Sequence, residues 1–313
     1  MAVRAVVFAY HHVGVRCLGA LRGAGVEVPL VLTHADDPNE RVWFASVAAT
    51  AARAGIEAIT PEDPNRPEIV ERIRGLAPDF LFSFYYRRML APELLAIPKR
   101  GAFNMHGSLL PKYRGRVPVN WAVLKGETET GATLHEMTAK PDAGRIVDQE
   151  AVPIGPDDLA LEVFRKVSDA AERVLRRSLP RLIDGSAVLR AQDLASGSYY
   201  GGRKPEDGRI DWNASAREIH NLVRAVAPPY PGAFTDLAAG RLYVLRTRRL
   251  GPTPAADVYK FRPALLAGAS DAHLTAVCGD GEALALLELA CDGRPLTVRE
   301  FVARFGTGPI HIS

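Results

Sequence analysis

The sequence has few cysteines, and their spacing excludes the common metal and disulfide frameworks. Its 313 residues include three cysteines, Cys17, Cys278 and Cys291, and no two of them have C-x-x-C spacing. That spacing argues against a zinc site and against a disulfide-stabilised fold. His11 and His12 are adjacent, so their side chains diverge in a strand, and no H-E-x-x-H spacing is present. We therefore expect no metal cofactor.

Long apolar runs and strong net charge are also missing. No apolar run approaches the ~20 residues needed to span a bilayer, and the amino terminus lacks the features of a signal peptide. Hydrophobic residues make up 47% of the chain, and the formal net charge of +3 neither demands nor excludes a nucleic-acid partner. These features predict a cytoplasmic globular protein with no membrane partner.

Glycine-rich nucleotide motifs are absent from the first strand-to-helix turn. Tyr10–Gly14 contains neither G-x-G-x-x-G nor G-x-x-x-x-G-K-[ST], so a dinucleotide site or a P-loop is unsupported there. In open α/β sheets, ligands bind beyond the carboxyl ends of strands, near a switch in strand order. The segment after Phe103 occupies such a position in the sequence, which predicts the functional site there.

Apolar runs of strand length alternate with helical patterns over the first half of the chain. The predicted strands are Val3–Ala9, Val28–Thr33, Ile56–Ile59 and Phe80–Tyr85, and the predicted helices are Val15–Gly25, Arg41–Ala54, Pro67–Leu76 and Asp158–Asp184. This alternation predicts an α/β fold with a doubly wound, mainly parallel, Rossmann-like sheet.

The second half of the chain predicts a different, smaller domain. The stretch Ser196–Gly202 is rich in turn residues, which favours a boundary between a domain at 1–200 and another at 201–313. A chain of this length is longer than one hydrophobic core usually accommodates, so two domains are expected. A helix at Ala214–Val226 and strands at Leu242–Arg246, Leu274–Cys278 and Ala283–Leu289 predict a β-rich, OB-like carboxyl-terminal domain.

The most informative stretch is Gly101–Gly115. If Ala102–His106 is extended, Asn104 and His106 project from the same side of the strand, because side chains alternate with a period of two. An amide can donate to a developing oxyanion, and an imidazole can move a proton at the same centre. A carboxylate such as Asp142 would fix the ring and favour its charged form. The trio is suited to acyl transfer.

Taken singly, these residues have ordinary explanations, since a histidine in an apolar segment is more often packed core and Asn beside Gly is common in turns. The whole pattern is more specific. It runs as Asn-x-His-x-Ser-Leu-Leu-Pro-x-Tyr-Arg-Gly from Asn104, then Thr-Gly-x-Thr at Thr130–Thr133, then Asp-x-Gly-x-Ile at Asp142–Ile146. This pattern resembles the signature of the folate-dependent formyltransferases.

The resemblance implies a 10-formyltetrahydrofolate donor as co-substrate and an amine acceptor, with Asn104, His106 and Asp142 as the catalytic residues. It also implies a donor site. By position in the pattern, that site is lined by Arg88, Met89, Leu90, Arg116, Thr138, Ala139, Lys140, Pro141 and Asp142. Phe82–Leu90 would offer a flat apolar slot for a pterin ring, although ordinary packing explains its aromatic residues equally well.

The sequence also indicates which class of molecule accepts the formyl group. Family members that formylate methionyl-tRNA carry a basic insertion after the second strand, whereas Thr33–Glu40 contains Asp36, Asp37 and Glu40. Carboxylates facing phosphates would be repulsive, so no nucleic-acid partner is expected. Val3–Phe234 is instead similar to the formyltransferase domain of the bifunctional polymyxin-resistance protein. That likeness implies UDP-4-amino-4-deoxy-L-arabinose as the acceptor in lipid A modification.

Several alternatives stay open at the level of sequence. A methionyl-tRNA formyltransferase and a formyltetrahydrofolate hydrolase would carry the same trio, and a folate- or sugar-nucleotide-binding sensor could use the same scaffold. No sequence similar to the second, dehydrogenase-decarboxylase half of the bifunctional protein is present, which implies a free-standing enzyme. Whether the chain forms a homo-oligomer is left open.

Overall fold

The computed structural model describes residues 2–36, 38, 42–238, 240–252, 263–267, 273–306 and 310–312. Two compact units make up the chain. The first unit comprises residues 1–118, 129–153 and 164–201, and the second comprises residues 119–128, 154–163 and 202–313. The predicted domain boundary at residue 200 stays a prediction.

A seven-stranded sheet forms the centre of the first unit. The strands of this unit are β1 (Arg4–Ala9), β2 (Glu27–Leu32), β3 (Glu57–Ile59), β4 (Phe80–Phe84), β5 (Gly101–His106), β6 (Arg114–Gly115), β7 (Glu129–Glu136), β8 (Ile146–Pro153) and β9 (Tyr199–Tyr200). The order in the main sheet is β3-β2-β1-β4-β5-β7-β8, with β6 and β9 forming a separate pair. Strands β1 to β5 are parallel, whereas β7 runs antiparallel to β5 and β8.

Eight α-helices lie in the part of the chain that the structure describes. They are α1 (His11–Gly23), α2 (Val47–Arg53), α3 (Pro67–Gly75), α4 (Pro92–Leu95), α5 (Pro118–Leu124), α6 (Ala160–Asp184), α7 (Ala216–Val226) and α8 (Val298–Phe305). None of the described helices is long and apolar enough to cross a membrane.

The central parallel strands β1 and β4 are largely buried because their sequences are apolar on both faces. Every residue of β4 is buried, as expected for a strand covered on both sides. Phe8, Leu30 and Leu81 pack with Ile73 of α3 in one core cluster, and α3 begins on Pro67, where a missing N–H costs nothing. The predicted Rossmann-like fold class is confirmed.

At two places a helix begins more than two residues away from its predicted start. The helix predicted at Val15–Gly25 begins at His11, because the extended residue Tyr10 joins β1 directly to α1 without turn residues. The helix predicted at Arg41–Ala54 begins at Val47, where the Ser46 hydroxyl accepts from the backbone N–H of Ala49 at 3.2 Å. A side-chain cap of this kind fixes a helix start that composition alone leaves undefined.

The second unit contains an antiparallel sheet, as predicted for the carboxyl-terminal domain. Its strands are β10 (Ala233–Leu237), β11 (Gly240–Pro252), β12 (Ala264–Ala267), β13 (Leu274–Val277), β14 (Glu282–Cys291), β15 (Arg294–Pro295) and β16 (Ile310–His311). Their order is β10-β11-β14-β13-β12-β16, with β15 paired to β14. Capping boxes formed by Ser215 with Glu218 and by Thr297 with Glu300 begin α7 and α8.

Candidate active site

Strand β5 carries two of the three predicted catalytic side chains. It lies between β4 and β7, and its register with β7 pairs Asn104 with His135 and His106 with Thr133. Directly paired residues on one face of an antiparallel pair have close side chains. The Nδ2 of Asn104 accordingly lies 3.2 Å from the Nε2 of His135.

The imidazole of His106 is buried and held at both ring nitrogens. Its Nε2 lies 2.8 Å from the backbone oxygen of Tyr113, and because a carbonyl only accepts, Nε2 donates this bond. The neutral ring therefore has its lone pair on Nδ1, which lies 3.5 Å from Oδ1 of Asp142. A proton arriving at Nδ1 would meet a carboxylate.

Asp142 stands between two imidazoles. Its Oδ1 lies 3.4 Å from Nε2 of His135, and its Oδ2 accepts from the backbone N–H of Gly115 at 2.9 Å. Burial raises the pKa of Asp142, but the charge of His106, the hydrogen bond from His135 and the Gly115 bond together bring the pKa well below its usual value. The group is therefore an anion at neutral pH.

His135 is the residue that the sequence reasoning missed. It is 2% exposed, and its Nδ1 donates to the backbone oxygen of Glu136 at 2.7 Å. Its Nε2 faces both the Asn104 amide and the Asp142 carboxylate, so it accepts from Asn104 when the ring is neutral and donates to Asp142 when the ring is protonated. The signal that could have found it is its place in the Thr130–His135 stretch, but only pairing with β5 reveals its partner.

The structure brings Asn104, His106 and Asp142 together, with His135 linking the amide to the carboxylate. The amide, the two buried rings and the partly exposed acid thus form one polar cluster at the carboxyl end of β5. The geometry can supply a hydrogen-bond donor, a proton acceptor and a counter-charge at one place. Their individual catalytic roles stay predictions.

The loop after β4 contains three of the residues predicted to line the donor site. Arg88 is exposed and Met89 is 54% exposed, whereas Leu90 is buried in the core cluster of the first unit. Asn65 fixes the backbone of this loop, since its Nδ2 donates to the Met89 oxygen at 3.1 Å and its Oδ1 accepts from the Ala91 N–H at 2.7 Å.

A second predicted donor segment, residues 138–142, lies in the loop between β7 and β8. Thr138, Ala139 and Lys140 are exposed, and the Thr138 hydroxyl donates to the Lys140 oxygen at 2.9 Å. The following residue of the loop, Pro141, is half-buried.

The neck of this loop, where Glu136 faces Arg145, is held by a backbone hydrogen bond and by an ion pair. The backbone N–H of Glu136 donates to the Arg145 oxygen at 2.9 Å, and the Arg145 guanidinium makes two 2.7 Å bonds to the Glu136 carboxylate. Met137, at the base of the loop, packs on the same core cluster as Leu90. Both predicted donor segments therefore adjoin residues that pack in one apolar core cluster.

The arginines of the Gly-flanked loop have different environments. Arg116, the remaining predicted donor residue, is exposed, and its backbone N–H donates to the Tyr200 oxygen at 2.9 Å. Arg114 is instead buried and donates to the Leu194 oxygen at 3.4 Å. Of the two, Arg116 has the guanidinium available to a ligand.

The aromatic residues around the end of β4 divide into packing and surface groups. Phe82 and Phe84 are fully buried and stack at 5.7 Å, which is ordinary core packing. Tyr85 and Tyr86 are half-buried, and a Cβ on Gly107 would lie only 2.0 Å from the Tyr85 oxygen. A larger residue at Gly107 would therefore displace the Tyr85 hydroxyl.

Two half-buried histidines lie in this aromatic region. The ring of His11 lies 3.9 Å from that of Phe44, and the ring of His34 stacks on Tyr86 at 4.1 Å. Burial and the charge of Arg87 lower the pKa of His11 to about 3 and that of His34 to about 4. The backbone N–H of Arg87 donates to Nε2 of His34 at 3.0 Å, which requires that nitrogen to be unprotonated.

The acidic segment predicted to disfavour tRNA is described only in part. Asp36 accepts a 2.8 Å bond from the Tyr10 hydroxyl. Asp37 and Glu40 lie outside the described residues. Within the described residues, no group of three or more His, Cys, Asp or Glu side chains is arranged to hold a metal ion.

Solved structures share this fold over nearly the whole chain. The N-formyltransferase from Helicobacter canadensis, in complex with folinic acid and dTDP-3-aminofucose, is 20% identical with a TM-score of 0.70, covering 92% of this chain and 99% of its own. WlaRD, a sugar 3N-formyltransferase in the presence of dTDP and 5-N-formyl-THF, is 17% identical with a TM-score of 0.70, covering 94% and 99%. HypX from Aquifex aeolicus, in complex with tetrahydrofolic acid, is 17% identical with a TM-score of 0.63, covering 98% and 48%.

At these identities the structures establish a shared fold, whereas the family models match the sequence itself. The model described as formyl transferase matches residues 4–179, and the model described as formyl transferase, C-terminal domain, matches residues 203–306. The family predicted from the motifs is confirmed. The cluster of amide, imidazoles and carboxylate at the end of β5 therefore lies in a formyl-transferring enzyme, a member of the formyl transferase family.

Proposed function

We propose that this chain transfers a formyl group from 10-formyltetrahydrofolate to the amine of a nucleotide-linked aminosugar. The observation that carries the proposal is the cluster in which Asn104 and His106 meet the Asp142 carboxylate. Two structures of the same fold are described with a formylated folate and a dTDP or dTDP-sugar ligand, which supports a donor and an acceptor of these classes.

The reaction joins an amine nitrogen to the formyl carbon and breaks the bond from that carbon to N10 of the folate. Attack places negative charge on the former carbonyl oxygen. Asn104 uses one Nδ2 hydrogen for His135 and keeps the second for this oxyanion. His135 thereby sets the direction in which the amide donates.

The amine must lose a proton and N10 must gain one. In this proposal Nδ1 of His106 takes the proton, because Nε2 is committed to the Tyr113 oxygen. The anionic Asp142, 3.5 Å away, stabilises the resulting imidazolium. The ring then returns the proton to N10, so that the products are a formamide and tetrahydrofolate.

The donor is proposed to lie between the two loops that flank Leu90 and Met137. Residues Arg88 to Leu90 and Thr138 to Asp142 would provide backbone and apolar contacts for the pterin. Arg88 and Arg116 are exposed guanidinium groups, and such groups pair readily with carboxylates like those of a folate tail.

The finer acceptor proposal is UDP-4-amino-4-deoxy-L-arabinose, with a role in lipid A modification and polymyxin resistance. It is supported by the sequence likeness over Val3–Phe234. The acidic Asp36, held by Tyr10, is a poor neighbour for RNA phosphates and supports a small-molecule acceptor. A cytoplasmic location and any homo-oligomer stay predictions.

The test is an assay of tetrahydrofolate release from 10-formyltetrahydrofolate with four acceptor conditions. They are UDP-4-amino-4-deoxy-L-arabinose, dTDP-3-aminofucose, methionyl-tRNA and no acceptor. Release that depends on either sugar nucleotide supports the proposal, and the preferred sugar decides the finer part. Release without acceptor indicates a hydrolase, and release only with the tRNA overturns the proposed acceptor class.

A further inference from the structure

The chain contains two glutamines, Gln149 and Gln192. Both side-chain amides donate hydrogen bonds to backbone oxygens beside the proposed reaction centre. We infer that these two amides are positioning residues that hold opposite edges of the His106 imidazole in place. The kinetic part of this inference rests on the proposed function. The structural part rests on hydrogen bonds within the first unit.

Gln149 acts on the edge of the His106 imidazole whose Nε2 donates to the Tyr113 oxygen. It lies on β8, directly opposite Thr133 of β7. Its Nε2 donates to the Leu110 oxygen at 2.8 Å and to the Thr133 hydroxyl at 2.9 Å. Both amide hydrogens are therefore used, one on the loop itself and one on the residue that supports the loop.

Thr133 adds further hydrogen bonds to the same loop. Its fully buried hydroxyl donates to the Ser108 oxygen at 2.6 Å and accepts from the Leu110 N–H at 3.2 Å. Together with the bond from Gln149, the hydroxyl reaches its capacity of one donated and two accepted bonds. Three backbone groups at the start of the loop are thus fixed by two side chains of the sheet.

The loop between β5 and β6 ends at Tyr113, whose backbone oxygen is the hydrogen-bond partner of His106. The Ser108 hydroxyl donates to the Lys112 oxygen at 2.6 Å, and the Tyr113 N–H donates to the Ser198 hydroxyl at 2.8 Å. The next group along is the Tyr113 oxygen, which accepts from Nε2 of His106. Moving the anchored Leu110 would therefore move the carbonyl that selects the tautomer of His106.

Gln192 acts on the Asp142 edge. Its Nε2 donates to the backbone oxygen of Asp142 at 3.0 Å and to the backbone oxygen of Gly144 at 2.6 Å. Two backbone bonds between Arg190 and Ile146, at 2.7 and 2.8 Å, bring Gln192 to this position. Asp142 has a φ of +51°, a backbone conformation that persists only where surrounding contacts hold it.

Glutamine is chemically suited to this task. A primary amide offers two hydrogens to two carbonyl or hydroxyl oxygens without adding charge. A lysine or arginine in place of Gln192 would bring a cation toward the Asp142 carboxylate and compete with the imidazolium for it. Neutral donors can fix the loops while leaving the electrostatics to the histidines and the acid.

The kinetic test compares Gln149→Met and Gln192→Met, which keep side-chain length and remove the donors, in wild-type and His106→Ala backgrounds. We expect kcat to fall about tenfold or more in the wild-type background, because small displacements of catalytic groups are costly. Each KM should stay within about twofold, and the glutamine variants should add less than about twofold to His106→Ala. An equal fall in both backgrounds, or an unchanged kcat, overturns the inference.

A matched pair covers the case in which Gln149→Met does not fold. Thr133→Val removes the buried hydroxyl at similar volume, and Thr133→Ser restores it. We expect Thr133→Ser to recover most of the kcat that Thr133→Val loses, with both variants folded by circular dichroism. Equal kcat values for the two Thr133 variants overturn the role of this hydroxyl network.

A spectroscopic readout separates this inference from the proposed function. In protein labelled with ¹⁵N-histidine, the His106 ring should show a single Nε2–H tautomer when neutral. Gln149→Met should produce a mixture of tautomers, and an unchanged spectrum in both glutamine variants overturns the inference. If the wild-type protein formylates no acceptor, the proposed function fails while this measurement still decides the positioning role.

Discussion

The reaction centre and the donor loops of the first unit are built in opposite ways. At the reaction centre, His106 and His135 are buried, and both nitrogens of each ring face a polar partner. In the predicted donor loops, the side chains of Arg88 and Met89 are exposed, and Asn65 anchors the backbone of Met89 and Ala91. Side chains fixed in this way can stabilise a transition state, whereas anchored loops with free side chains can adapt to a ligand.

The largest expected effect comes from removing the amide at the reaction centre. Asn104→Ala should lower kcat about 100- to 1000-fold, the usual loss for one oxyanion donor. Substrate KM values should change little, because the donor acts mainly on the transition state. Steady-state kinetics with the best acceptor measure this, with circular dichroism as the folding control. A fall in kcat below about tenfold would contradict the oxyanion role.

The next effect comes from removing the negative charge. Asp142→Asn should lower kcat about 100-fold and move the acidic limb of its pH profile, because the imidazolium loses its counter-charge. Asparagine tolerates the positive φ of this position, so the backbone is preserved. The kcat profile from pH 5 to pH 9 is the measurement. A profile of unchanged shape would show that Asp142 does not tune the proton transfer.

A smaller effect of a different kind is expected in the donor loop. Asn65→Ala removes the bonds to the Met89 oxygen and the Ala91 N–H, so the KM for 10-formyltetrahydrofolate should rise about three- to tenfold with little change in kcat. Initial rates over a range of donor concentrations test this. If kcat falls as strongly as in Asn104→Ala, the two regions are not separate in function.

The smallest effect concerns acid stability. Burial lowers the pKa of His11 to about 3, so the unfolded chain binds this proton more readily than the folded chain. The free energy of unfolding should therefore decrease as the pH falls below about 6.5, by about 1–2 kcal/mol between pH 7 and pH 5 from His11.

His11→Asn is the control for this prediction, because it cannot titrate and its backbone tolerates the φ of +67° at this position. Urea unfolding at several pH values should show a flatter pH dependence in the variant. An identical pH dependence in both proteins would assign the acid sensitivity to other groups.

Much of the fold and part of the site could be predicted from local sequence pattern. Apolar runs indicated the parallel strands, and the period of two placed Asn104 beside His106. His135 could not be found in this way, because its contact with Asn104 depends on the register between β5 and β7. Arg114 lies next to glycine in a loop, and nothing in its local sequence shows that it is buried against the Leu194 oxygen, a partner eighty positions away. Such partners come from tertiary packing, which local periodicity does not encode.

The doubly tied neck between Glu136 and Arg145 has a practical consequence. A hairpin that is clamped at its base passes little strain from its tip into the strands that carry it. Residues 138–141 should therefore tolerate replacement by the corresponding residues of other formyltransferases while β7 and β8 keep their alignment.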